Sequence, residues 1–197
     1  MNSSVQKLGQ LVEIRSGYQF RKGVSHDPMG KARVLQLKNV TDSSTINWEN
    51  LEQVSDEGIG KDYFLRVGDV LLSARGTKNQ SILVDREVRA VVAPNYLLVL
   101  RIKSDKLRAG YLAWYLRQPQ AQIQIERARR GTTIQLLSRE ELADLTVPLP
   151  PLQTQQKVAK IGELAQKEQE LLDVLKIERG KYVSACLREA IGGGANG

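Results

Sequence analysis

The side chains in this chain with chemistry to offer are basic, amide and aromatic groups gathered in three short stretches. The first, S-G-Y-Q-F-R-K-G from Ser16 to Gly23, sets Tyr18, Arg21 and Lys22 between glycines. The second, R-G-T-K-N-Q, supplies Arg75, Lys78, Asn79 and Gln80, and the third, R-G-T-T, supplies Arg130, Thr132 and Thr133. Arginine and lysine pair with guanine edges or phosphates, asparagine and glutamine pair with adenine, and an aromatic ring packs on a sugar or base. The same composition serves plainer ends: Tyr18 and Phe20 as anchors of a loop onto the core, and Arg75 to Gln80 as a solvated hairpin tip. Composition leaves both readings open.

Catalytic chemistry finds little material. His26 is the only histidine and Cys186 the only cysteine, so no multi-histidine metal site and no intramolecular disulfide are expected, and no Ser-His-Asp triad of the usual kind is read. Gly60-Lys61 is followed by Asp62 rather than Ser or Thr, and Gly58-Ile59-Gly60 lacks the preceding apolar strand and third glycine of a dinucleotide loop. Ala93-Pro94-Asn95-Tyr96 lacks the order of the Asn-Pro-Pro-Tyr motif of amino-methyltransferases. Glu140 and Glu141 fall on a predicted helix face. The expectation is a binding module, not an enzyme, with no cofactor and no metal.

With 197 residues, 41% hydrophobic and 26% charged, the chain suits one domain with an appendage. No apolar run nears the ~20 residues of a membrane span, and Met1 to Gln6 does not read as a signal peptide, so a cytoplasmic protein is expected. The net charge of +7 is uneven. Residues 1–150 carry 22 basic against 16 acidic side chains, whereas 151–197 carry 7 against 6. Arg101 to Arg130 alone holds eight basic residues against Asp105 and Glu126. Such an excess suits phosphate binding or a solvated basic face.

The elements that must position these groups form a sheet-rich α+β domain with its helices late in the chain. Leu8 to Ile14 predicts one helical turn entering a strand that ends at Gly17. Strands are predicted at Val34–Val40, Val70–Ala74, Ser81–Asp85 and Ala90–Ile102, the last interrupted at Pro94. Ile46 and Trp48 should anchor the polar tract between Thr41 and Asn50. Leu107 to Leu116 has helical spacing, and Pro119 suits the first turn of a further helix reaching Arg130, with Gly131 behind it. Ser138 and Glu141 form a capping box. Pro148, Pro150 and Pro151 then impose a rigid extended segment that no central strand tolerates.

From about Leu152 to Ile191 one long helix is predicted, about 58 Å at ~1.5 Å per residue. With Val158 at a, the a positions are Val158, Ala165, Leu172, Arg179 and Cys186, and the d positions Ile161, Glu168, Leu175, Tyr182 and Glu189. Leu164, Leu171 and Val174 widen this broken stripe. Gly162 and Gly180 each weaken a helix by about 1 kcal/mol. A helix of this pattern needs a partner helix, and Val158, Ile161, Ala165, Leu171, Leu172, Leu175 and Tyr182 are its candidate dimerisation residues.

The junction L-T-V-P-L-P-P-L-Q-T-Q-Q-K-V-A-K-I (Leu145 to Ile161) resembles the end of a target-recognition domain in specificity (S) subunits of type I restriction-modification systems. In order before it stand L-G-Q-L-V-E-I-R-S-G-Y-Q-F-R (Leu8 to Arg21), V-L-Q-L-K-N-V (Val34 to Val40), V-G-D-V-L-L-S-A-R-G (Val67 to Gly76), A-G-Y-L-A-W-Y-L (Ala109 to Leu116) and G-T-T-I-Q-L-L-S (Gly131 to Ser138). The resemblance covers roughly residues 7–190. It implies a target-recognition domain over 1–150 and a spacer and dimerisation helix over 151–191, while the glycine-rich composition of 192–197 predicts a flexible tail. Family members carry two recognition domains, each reading half of a split double-stranded DNA target in the major groove. Their antiparallel helices dock DNA methyltransferase (M) subunits, and motor-nuclease (R) subunits complete the phage-defence complex. One domain and one helix imply a half-subunit that homodimerises to read an interrupted palindrome. The rival expectation is a non-catalytic defence-related assembly or regulatory protein that binds DNA without strong sequence preference.

Overall fold

The computed structural model of the protein describes residues 4–21, 23–41, 44–74, 80–129 and 137–192. In chain order the elements are β1 (Ser4–Lys7), α1 (Leu8–Leu11), β2 (Val12–Ser16), β3 (Ala32–Val34), β4 (Glu52–Val54), β5 (Val70–Ser73), β6 (Ser81–Leu83), β7 (Val91–Val92), β8 (Leu97–Ile102), α2 (Ala109–Leu116), α3 (Pro119–Ala128), α4 (Arg139–Ala143), β9 (Thr146–Leu149) and α5 (Leu152–Gly192). Two compact units result, Met1–Lys160 and Ile161–Gly197. The α+β class and the late long helix are as expected.

A four-stranded antiparallel sheet in the order β2-β8-β5-β6 is the centre of the first unit. Both of its faces are covered, so β5 reads as a continuous apolar run instead of alternating. Val70, Leu72, Leu98 and Leu100 share a core with Leu112, Leu116 and Ile125 of the helices. Leu71, Leu97 and Val99 share another with Leu35, Leu65 and Val91. A three-stranded sheet β4-β3-β7 closes the latter side, and β1 pairs with β9.

Local signals act as their chemistry requires. Ser138 and Glu141 form the reciprocal cap of α4, Pro119 occupies the first turn of α3, and the ladder is interrupted between β7 and β8, where Pro94 makes only an isolated bridge with Tyr18. Ile46 is buried, while Trp48 is half-buried with its indole N–H on Asp85 Oδ1 at 3.1 Å.

Three expectations need correction. Val34–Val40 is not one strand: β3 stops at Val34 and a 3-10 turn occupies Leu37–Asn39. Buried Asn39 causes the turn, its Oδ1 accepting from Gln36 N at 2.9 Å and its Nδ2 donating to Asn50 O at 2.7 Å. Strands β1 and β4 were not anticipated. The basic run Arg101–Arg130 is also no single patch. Arg101 is paired with Asp69, and Lys103 donates to Gly9 O at the opposite sheet end from Arg117, which donates to Ser81 O.

The junction between β9 and α5 is fixed from several sides. Pro148 stands opposite Val5 in the two-stranded ribbon, where its missing donor is tolerated. Pro151 O accepts the first bonds of α5, from Thr154 N and Gln155 N. Gln155 is fully buried: its Oε1 accepts from Arg108 N at 2.9 Å, and its Nε2 donates to Lys106 O and Pro150 O. A Cβ on Gly110 would stand 3.2 Å from that of Ala159, so α2 packs closely on the first turns of α5. The 41-residue helix continues through Gly162 and Gly180, and no helix among the described residues is long and apolar enough to cross a membrane.

Candidate nucleic-acid interface

Antiparallel pairing decides where the three basic stretches are tied. Ser16 ends β2 opposite Leu98 near the start of β8, Ser73 ends β5 opposite Leu97, and Ser81 begins β6 opposite Leu72. The end of β2, the end of β5 and the start of β6 therefore belong to one end of the sheet. The segment Ala93–Leu97 links them: Ala93 O accepts from Tyr18 N at 2.7 Å, Leu97 O from Gly17 N at 2.9 Å, and Tyr96 O from Ala74 N at 2.9 Å. Ala74 O in turn accepts from Leu137 N at 3.1 Å, which brings the chain after the third stretch back to the same place.

Gly17 makes this convergence sterically possible. A Cβ there would lie 2.3 Å from Pro94 O and 2.4 Å from Ala93 O, so no other residue fits without moving backbone. Beyond it, Tyr18 meets Phe20 and Tyr63 edge-on, with ring centroids 4.9 and 5.2 Å apart. Phe20 packs on the core of Ala32, Val34, Val54 and Val92. The aromatic residues thus anchor the first stretch and leave Arg21 exposed.

Of the residues singled out for DNA contact, Tyr18, Arg21 and Gln80 are placed. Gln80 is half-buried, and its Nε2 donates to Thr41 O at 3.4 Å. Lys22, Arg75, Lys78, Asn79, Arg130, Thr132 and Thr133 lie outside the described residues, as does Gly131. Residues 193–197 of the expected tail lie outside them too.

Two partly buried arginines were not singled out in the sequence, Arg117 at this sheet end and Arg129 at the end of α3. Arg117 Nη1 donates to Ser81 O at 3.0 Å, where β6 begins. Arg129 closes α3, its N–H directed at Ile125 O and Glu126 O, immediately before residues 130–136. Burial pushes both side chains below the usual arginine range, for Arg129 against the opposing pull of Glu126. Their membership of the Arg101–Arg130 run was the available signal. Among the described residues no group of three or more His, Cys, Asp or Glu could hold a metal ion. The chemistry on offer is hydrogen-bond donation, positive charge and aromatic surface, the set that engages a nucleic-acid backbone and base edges.

Of the dimerisation candidates, Val158 packs half-buried against the core of the first unit. In the second unit, Ile161, Ala165, Leu171, Leu172, Leu175 and Tyr182 are exposed.

Residues 2–164 match the family model described as the type I restriction modification DNA specificity domain. A protein of Methanocaldococcus jannaschii named as the MjaX type I restriction enzyme specificity subunit is 27% identical over 164 residues, covering 80% of this chain and 38% of that protein. The fold is shared with the HsdS subunit from Thermoanaerobacter tengcongensis, at a TM-score of 0.66 and 18% identity over 95% of this chain and 48% of the other. It is also shared with the S subunit of the type I system from M. genitalium, at 0.59 and 16% over 91% and 43%. A chain from a structure of complex assembly and conformational transition of the type I R-M system superimposes at 0.67 and 20% over 95% and 44%. The present chain spans less than half the length of each of these relatives.

Proposed function

Because this chain belongs to the family of type I restriction modification DNA specificity domains, we propose that residues 1–150 are a target-recognition domain that reads double-stranded DNA in the major groove for a type I restriction-modification complex. The observation that carries this reading is that residues flanking the three basic stretches are tied to one sheet end through Ala93–Leu97, Ala74 and Leu137. Each stretch supplies donors of the kind that discriminate bases, and one surface can deliver them to one groove.

Residues 151–191 serve as spacer and dimerisation helix, with 192–197 as its tail. Two such units about a twofold axis present the same reading surface twice, so the target is an interrupted palindrome. In this reading the length of the spacer sets the separation of the half-sites. The chain itself is non-catalytic: methyltransferase subunits dock on the dimer, and motor-nuclease subunits complete a cytoplasmic phage-defence complex.

Co-expression with the cognate methyltransferase subunit, followed by mapping of methylated bases in host DNA, tests this reading. A stable complex and a bipartite inverted motif are expected. DNA binding with no complex and no methylated motif would favour the rival, a regulatory or assembly protein without strong sequence preference.

A further inference from the structure

One carboxamide stands where the tethers of the proposed reading end cross. Strand β8 lies inside the central sheet, between β2 and β5, and the chain enters it through Pro94, Asn95 and Tyr96. Leu97 N donates to Pro94 O at 2.9 Å and closes these residues into a tight turn. On one side Pro94 bridges to Tyr18, while Gly17 N and Tyr18 N donate to the carbonyls of Leu97 and Ala93. On the other side Ala74, which directly precedes the second basic stretch, donates to Tyr96 O and accepts from Leu137, which follows the third. Val91 to Pro94 and Leu97 to Leu100 are buried and Tyr96 is half-buried. Within this run Asn95 alone is exposed.

Asparagine favours turns for two reasons: it tolerates the left-handed backbone region, and its side chain hydrogen-bonds nearby backbone. Neither operates at Asn95. Among the described residues other than glycine only Ser44 and Ala90 have a positive φ, so the backbone at position 95 makes no demand for asparagine. Nor does any hydrogen bond among the described residues use the Asn95 side chain. An exposed amide on a backbone held from both sides is preorganised for a ligand. We propose that Asn95 is a specificity-determining residue that reads one adenine in the major groove, its Nδ2 donating to N7 and its Oδ1 accepting from the N6 amino group. A carboxamide matches that adjacent acceptor and donor, whereas guanine presents two acceptors there. Gly17 is a positioning residue in this arrangement, because a Cβ 2.3 Å from Pro94 O would displace the turn that carries Asn95. This inference rests on the reading of residues 1–150 as a target-recognition domain and names one of its base contacts.

Selection of bound duplexes from a random pool by the full chain tests this, run in parallel for the wild type, Asn95→Ala and Asn95→Asp. The wild type should return a motif containing an A·T pair for which Asn95→Ala loses its preference, with every other position kept. Affinity of that variant for the wild-type motif should fall by about tenfold or more. Asn95→Asp keeps the size and removes the donor, so its preference at the same position should move toward cytosine, whose amino group a carboxylate accepts. Both variants should unfold in urea as the wild type does, since the amide supports nothing in the fold. Equal weakening on all duplexes would make Asn95 a phosphate contact and overturn the base reading, as would an unchanged motif at unchanged affinity. Loss of stability in both variants would also overturn it, by making the amide a support of the fold. A wild type that enriches no motif would overturn the target-recognition reading itself, an outcome distinct from the other three.

Discussion

Arg101 shows how a basic residue can be taken out of service as a DNA contact. Its Nε and Nη2 donate to the two carboxylate oxygens of Asp69 at 2.8 and 2.7 Å, and Nη2 also reaches Phe64 O. The Asp69 bond raises the arginine further above its ordinary range, and the Asp69 side chain is only 2% exposed. Arg101→Ala would strand that carboxylate, with an expected loss of about 3 kcal/mol in urea unfolding. The DNA motif should not change, since the pair lies at the far sheet end. Arg75→Ala should behave the other way, relaxing preference at one base position by about 1–3 kcal/mol with normal stability; uniform weakening on all duplexes would make Arg75 a phosphate contact. Buried Tyr111 and Tyr115 give a pH signature. Burial pushes the Tyr111 phenol up to about 12 and raises Tyr115 as well. An unfolded tyrosine ionises near pH 10, so above that the unfolded chain holds fewer protons than the folded one. The stability involved is fully present below pH 10 and is lost as pH climbs toward 12. Thermal melts from pH 8 to 11 should show Tm falling at the alkaline end, with a shallower fall in Tyr111→Phe. That variant also forfeits the phenol bond to Pro148 O, at about 1 kcal/mol.

At the scale of elements, the junction between β9 and α5 is the most exacting construction. Gln155→Leu would leave Arg108 N, Lys106 O and Pro150 O without their side-chain partner, so a loss of about 3 kcal/mol is expected. Selected DNA sites should also show a broader spread of half-site separations, because the first turns of the spacer helix would lose their anchors on Lys106, Arg108 and Pro150. Much of this region was legible beforehand. The Ser138–Glu141 cap, Pro119 at a helix start and the stiff Pro148–Pro151 segment depend on neighbours within a few residues. Gln155 itself was silent, because a glutamine in a first helical turn gives no sign of burial. Strand β1 was illegible for a related reason: S-V-Q-K has no alternation of its own and is a strand only because β9, some 140 residues on, pairs with it. Asn39 defeated the strand expected at Val34–Val40 because its side chain competes with ladder pairing. The three basic stretches were visible by composition, but their common tether was not. It follows from antiparallel registers among β2, β5, β6 and β8 that no local pattern encodes.

For the whole molecule, the proposed reader and most of the proposed spacer fall in separate compact units, Met1–Lys160 and Ile161–Gly197. The claim at the centre is that this chain recognises a defined, split DNA sequence. Selection of bound duplexes from a random pool by the purified full chain tests it most directly. The account predicts enrichment of an inverted repeat whose halves are separated by a fixed number of unspecified base pairs. Retention of duplexes with no enriched motif would contradict it.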